Sequence, residues 1–254
     1  MAQKYESSEF LKKDPSQFMH RYSSLADVET VAFLAANLAF GRRDQILSHV
    51  EAILENCGSS PSQWVLSSSY KKFFPQNEKS FYRMYTNRDM IKFFDSIRLI
   101  LENSASLGDF FKSKWQEVKN PYHLKDFNSG NTKKSSIKNF TFLHQVIASA
   151  FPKSVALLPH SPDSAAKKVN MLLRWLVRDN SPVDLGLWTW YSKEDLLMPL
   201  DTHVMQQSLS LGLINSKSAN LKTALELSCK VSLIFPGDPV KADFALFGMD
   251  FDSL

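Results

Sequence analysis

The segment PLDTHVMQQSLSLGL, Pro199 to Leu213, sets a carboxylate, Asp201, directly ahead of a short amphipathic stretch that Gly212 closes. Val204, Ser208 and Leu211 fall on one helical face there. Two roles suit Asp201. It can cap the helix, since Asp is among the best acceptors for unpaired first-turn N–H groups. It can also act as an acid that must stay charged at neutral pH, because the helix dipole and those same N–H groups favour the ionised form. Upstream, LLPHSPDSAAKKVNMLLRWLVRD, Leu157 to Asp179, joins the turn PHSPDS to a helix that carries Lys167 and Lys168 near its start. Pro162 breaks the chain, and Asp163 or Ser164 is expected to cap that helix. A helix start flanked by lysines and serines is a ready phosphate site, because its free N–H groups point at the anion. Ser161, Ser164, Lys168 and Arg174 are the candidate phosphate contacts. On a helical wheel Val169, Leu172, Leu173 and Leu176 form the apolar face, with Lys167, Met171, Arg174 and Arg178 opposite and Lys168 at the flank. The same polar side reads equally as a solvated basic face.

The elements that must hold these residues are helices. SLADVETVAFLAANLAFG offers Ser24 or Asp27 as caps and ends at Gly41, and RRDQILSHVEAILENCG repeats the design with Gly58 as its stop. Further helices are expected at about 88–103, 107–115, 137–150, 164–178, 218–235 and 238–247. Alternating β-branched runs joined by Asn-Gly or Asp-Gly turns are absent from the sequence. The expected fold is all-α, and the lack of a fixed-period repeat weighs against a solenoid.

With these residues in view, the chain resembles an uncharacterised bacterial protein family related to the helix-hairpin-helix DNA glycosylase superfamily. The resemblance runs through DPSQFMHRYSSLADVETVAFLAANLAFGR, SAAKKVNMLLRWLVR, VDLGLW, PLDTHVMQQSLSLGL and DPVKADFALFGMD, essentially the whole chain. In the superfamily the acid of the D-T-H pattern is the catalytic aspartate, which falls on Asp201. A lysine at the start of the hairpin's second helix is the nucleophile of the bifunctional members. Here it is Lys167, which points away from the apolar face, or Lys168. The lysine-to-aspartate gap is most like that of the archaeal 8-oxoguanine DNA glycosylase. The resemblance thus implies two helical lobes with a DNA-binding cleft between them: 27–179 carrying the hairpin-like turn and Lys167, and 1–26 plus 180–254 carrying Asp201. It implies a glycosylase that extrudes a modified base, with Asp201 stabilising the cationic sugar and a lysine forming a Schiff base that permits strand scission by lyase chemistry. Trp188 and Trp190 are candidates for the base slot, although such tryptophans are more often core. Arg42, Arg43 and Gln45 stand where relatives wedge the duplex. The sequence departs from the superfamily in having no Gly-x-Gly in PDSAAK and no iron–sulfur cysteines.

Composition narrows the alternatives. The 254 residues are 44% hydrophobic and 22% charged, with a net charge of +4 and only Cys57 and Cys229 as thiols. No disulfide framework, zinc site or iron–sulfur cluster can be built from two cysteines. The six histidines show no HExxH or similar metal spacing, and no P-loop or dinucleotide loop is present, so no cofactor or metal is expected. The isoelectric point near 8.9 is mildly basic. Seven lysines between Lys112 and Lys138 read as a solvated linker or as a loop gripping a polyanion. The longest apolar runs are too short to span a bilayer and no signal-peptide core opens the chain, so a cytoplasmic monomer with no membrane partner is expected. Damaged duplex or single-stranded DNA is the expected partner. The competing reading is a non-catalytic helix-hairpin-helix module that binds DNA or RNA, with Asp201 only a cap and Lys167 a phosphate contact.

Overall fold

In the computed structural model, which describes residues 1–128 and 134–251, helices follow one another from α1 (Ala2–Tyr5) and α2 (Ser8–Leu11) through α3 (Leu25–Leu38), α4 (Arg43–Cys57), α5 (Pro61–Leu66) and α6 (Tyr70–Phe73). They continue with α7 (Asn87–Leu101), α8 (Leu107–Gln116), α9 (Leu124–Asn128), α10 (Leu143–Ser149), α11 (Lys167–Val177), α12 (Thr202–Ser210), α13 (Leu221–Ser232) and α14 (Ala242–Phe251). The fold is all-α. One small antiparallel hairpin, β1 (Ser80–Tyr82) with β2 (Tyr85–Thr86), interrupts it, in a stretch whose sequence carries no Asn-Gly or Asp-Gly signal. Among the described residues no helix is long and apolar enough to cross a membrane. Part of the lysine-rich stretch, residues 129–133, lies outside the described residues.

The chain forms two compact units, 11–117 with 147–160, and 1–10 with 118–146 and 161–254. In the first unit α3 is buried on nearly every side and forms the core. Phe33 stacks with Phe93, Phe111 and Phe151 at centroid distances of 5.8, 6.2 and 5.3 Å. Two acids on this buried helix cap its neighbours. Asp27 Oδ1 accepts the Ser62 N–H of α5 at 2.8 Å, and Glu29 Oε2 accepts the Gly108 N–H of α8 at 2.8 Å. Helix starts leave N–H groups unpaired, and a carboxylate is their strongest acceptor. Asp27 therefore caps a distant helix and not its own, which begins at Ser24 without a side-chain cap.

The second unit contains α1, α9 and α11–α14. Tyr122, Leu124, Phe142, Leu197, Leu221 and Leu225 form one buried cluster there. The first helix lies against α14, where a Cβ at Gly248 would sit 2.1 Å from the Tyr5 ring, so only glycine admits this approach. This unit contains both Lys167 and Asp201, whereas the expected lobe boundary at residue 179 separates them. The reason is that α11 is bound to residues 184, 238 and 243 by buried charge pairs, which tie it to the C-terminal segment.

Candidate functional site

Local backbone chemistry fixes where α11 begins. Asp163 and Ser164 do not cap it. The Ser164 hydroxyl instead accepts the Ala166 N–H at 3.1 Å, and Ala166 is the N-cap, in the left-handed conformation with φ 45° and ψ 41°. An alanine in that region costs about 1–2 kcal/mol relative to glycine, so the surroundings must hold it. They do so from both sides. Leu221 N–H donates to Asp163 C=O at 2.9 Å, pinning the loop to the start of α13, and Asn170 Nδ2 donates to Ala165 C=O at 2.8 Å. The left-handed step, which glycine adopts most readily, is therefore made by Ala166, and it sets Lys167 at the first position of the helix.

Across from it, Asp201 is the N-cap of α12, and its two carboxylate oxygens do different things. Oδ1 accepts the Val204 N–H at 2.9 Å, while Oδ2 lies 3.8 Å from Lys167 Nζ. Both side chains reach solvent, at 27% exposure for Lys167 and 38% for Asp201. The cap bond orients the carboxylate, leaving its second oxygen directed at the amine. Lys168 is half-buried next to them. Burial, with the Lys167 charge adding to it, brings its ammonium down from 10.5 to about 7, so an amine at this helix start is substantially neutral near physiological pH.

The polar side of α11 beyond Lys167 is buried, which corrects the expected solvated basic face. Arg174 is 3% exposed and Arg178 2%. Arg174 Nε contacts Asp184 Oδ1 at 3.2 Å, and its Nη1 pairs with Asp243. Arg178 pairs with Glu6, with Asp184 at 3.0 Å and with Asp238 at 2.8 Å. Both guanidiniums lie over the Phe244 ring, 4.5 and 5.6 Å from its centroid. Arg174 is thus committed to carboxylates and is not placed as a phosphate contact. Burial raises the Asp243 carboxyl above its usual range, the Arg174 charge opposing and the Asp201 charge assisting. The network therefore reaches the Lys167–Asp201 pair electrostatically.

Other expected site residues fall in varied places. Ser161 is exposed and Ser164 half-buried on the loop before α11. Trp188 is 1% exposed and stacks on the half-buried Trp190 at 5.3 Å, so Trp188 is core and not an open base slot. Arg42 and Gln45 are exposed and Arg43 half-buried at the start of α4, in the other unit. Spacing and motif alone do not single out Glu6, Asp184, Asp238 and Asp243. Two arginines a turn apart at the C-terminal, otherwise apolar end of α11 are the available signal that buried acids must exist to meet them.

Fold and site define an all-helical protein with a lysine and an aspartate meeting at the starts of two helices. The chain belongs to the family described as Protein of unknown function (DUF2400), which matches residues 14–252. No curated protein and no solved structure matches the chain.

Proposed function

We propose that this protein is a base-excision DNA glycosylase with a lyase step, related to the helix-hairpin-helix superfamily and acting through Lys167 and Asp201. The observation that carries the reading is the 3.8 Å approach of Lys167 Nζ to Asp201 Oδ2, with both groups at helix starts and open to solvent. A displacement of about 1 Å brings the pair into hydrogen-bond range for proton transfer. In the reaction the amine attacks the anomeric carbon of the extruded nucleotide as the bond to the base breaks, and the departing base takes up a proton. Asp201 stabilises the positive charge that develops on the sugar. The sugar ring opens to a Schiff base, and loss of a neighbouring proton expels the 3′ phosphate. Lys167 faces Asp201, and Lys168, whose ammonium burial brings down to about 7, is the alternative nucleophile beside it.

A second reading has its own observation. Asp201 Oδ1 makes the cap bond that a purely structural residue would make, which suits a DNA- or RNA-binding module without chemistry. Borohydride trapping separates the two. The protein, Lys167→Ala, Lys168→Ala and Asp201→Asn are each incubated with duplexes bearing 8-oxoguanine, uracil, hypoxanthine, thymine glycol or an abasic site. A covalent adduct on a damaged-base duplex, lost with one lysine, supports the enzyme and names the nucleophile. No adduct and no base release, with salt-sensitive binding retained, refutes the enzyme in favour of the module.

A further inference from the structure

The β1–β2 hairpin and the loop before α4 together build a basic cavity in the unit that does not contain Lys167. Tyr82 and Tyr85 pair across the hairpin, leaving Arg83 and Met84 at its tip, and Arg83 is left-handed with φ 53°. The tip is fixed against the loop. Tyr82 donates its hydroxyl to Phe40 C=O, both tyrosine rings meet Phe40 edge-on at 5.2 Å, and the Arg83 guanidinium lies 5.5 Å above the Phe40 ring. Gly41 suits the loop, since its φ of 99° is one that side chains rarely adopt, and a Cβ there would stand 2.6 Å from Arg83 Nη1.

Arg42, Gln45, His49, Tyr82 and Arg83 line the cavity, which measures about 150 Å³. Arg42, Gln45 and Arg83 bring donors to this lining, the Tyr82 hydroxyl and the His49 ring already donate to the Phe40 and Gln45 carbonyls, and no carboxylate is among the lining residues. The His49 Nδ1 sits 2.7 Å from Gln45 C=O, which can only accept, so Nδ1 carries a hydrogen. Arg42 holds Asp44 through both Nε at 3.2 Å and Nη2 at 2.9 Å, but both groups are largely exposed and such a pair contributes little, so an incoming anion can compete for it. Among the described residues Arg83 has no carboxylate partner. Two guanidiniums lining one small cavity, that of Arg83 with no carboxylate on it among the described residues, match a phosphate. The volume, well below the roughly 300–1,000 Å³ of pockets that take whole organic ligands, is enough for a phosphate group.

We infer that this cavity, with Arg42 and Arg83 as its anchors, grips a backbone phosphate of the bound nucleic acid. The assignment of that phosphate to a nucleic acid rests on the function proposed above; the phosphate chemistry does not. Beside the grip, Met84 is 69% exposed, an apolar side chain of the kind that packs against unstacked bases.

The test uses the full chain, Arg42→Ala, Arg83→Asn and the double variant, asparagine being chosen because it tolerates the left-handed turn. Inorganic phosphate is titrated while the His49 and Tyr82 resonances are followed by NMR, and duplex affinity is measured against salt. The expected result is a saturable shift that the double variant abolishes, with the slope of log K against log salt falling by about 1 for each arginine removed. Unshifted resonances, or a salt slope equal to that of the unaltered protein, overturn the proposal. A phosphate shift lost in the double variant, in a protein that binds no duplex, overturns the nucleic-acid assignment and the glycosylase reading together while leaving a free-phosphate site.

Discussion

Replacing Lys168 by methionine should stabilise the protein below neutral pH, and the gain should vanish as pH rises. The Lys168 ammonium is lowered from 10.5 to about 7, first by burial and then by the Lys167 charge. In the unfolded chain the lysine holds its proton until about pH 10.4. Between about 7 and 10.4 the unfolded state therefore binds a proton that the native state has released, and native stability rises with pH across that window. Below pH 7 both states are protonated and the full penalty for burying the charge remains. At about 1.4 kcal/mol per pH unit the gap sets a ceiling on the order of 5 kcal/mol. Methionine keeps an unbranched side chain, one atom shorter, and removes the charge. Urea unfolding of both proteins from pH 6 to 10 should show a difference of several kcal/mol at pH 6, shrinking steadily towards pH 10. A difference flat across that range would refute the reasoning, as would a lysine Nζ NMR titration placing Lys168 above pH 9. The same titration bears on chemistry, because an amine that is half neutral near pH 7 can act directly or take the proton of its neighbour.

The geometry dictates three further outcomes. Arg178→Met removes the cation shared by Glu6, Asp184 and the half-buried Asp238, with Arg174 still on Asp184, and should cost about 3–5 kcal/mol; at roughly 2–4 °C per kcal/mol, a thermal melt reads this as a drop of about 6–20 °C. Burial lowers the His144 imidazole from 6.5 to about 4, so the unfolded chain protonates first and stability is lost as pH falls through that interval. His144→Leu should remove about 3 kcal/mol of that acid sensitivity, measured by denaturant unfolding at pH 4 and pH 7. Asp201→Ala should cost about 1 kcal/mol through the lost cap and Asp201→Asn only a few tenths, while both abolish the borohydride adduct. Adduct formation by Asp201→Asn at the unaltered rate would leave Asp201 a cap alone.

Much of the local structure was legible in the residues. Helical periodicity placed α3, α4, α7 and α8 to within a few residues, because an amphipathic or wholly apolar repeat leaves a chain few other ways to bury itself. Asp201 capping α12 could be read for a similar reason: the carboxylate and the N–H it accepts lie three residues apart. The hairpin at Ser80–Thr86 was not legible, since a left-handed Arg83 stands where glycine or asparagine would have announced the turn. Where α11 begins was also decided by tertiary contacts, through the loop's bonds to α13 and to Asn170.

What the sequence determined alone is the helical class, the acid at the head of α12 and the two lysines beside a turn. Only the tertiary structure decided that Lys167 and Asp201 meet, that Lys168 is half-buried, and that Arg174 and Arg178 are interior. The physical reason is one of range. Helix formation and capping are settled within a turn or two of chain. Whether an arginine faces water or core depends on acids that arrive from residues 6, 184, 238 and 243, and no periodicity within α11 records them.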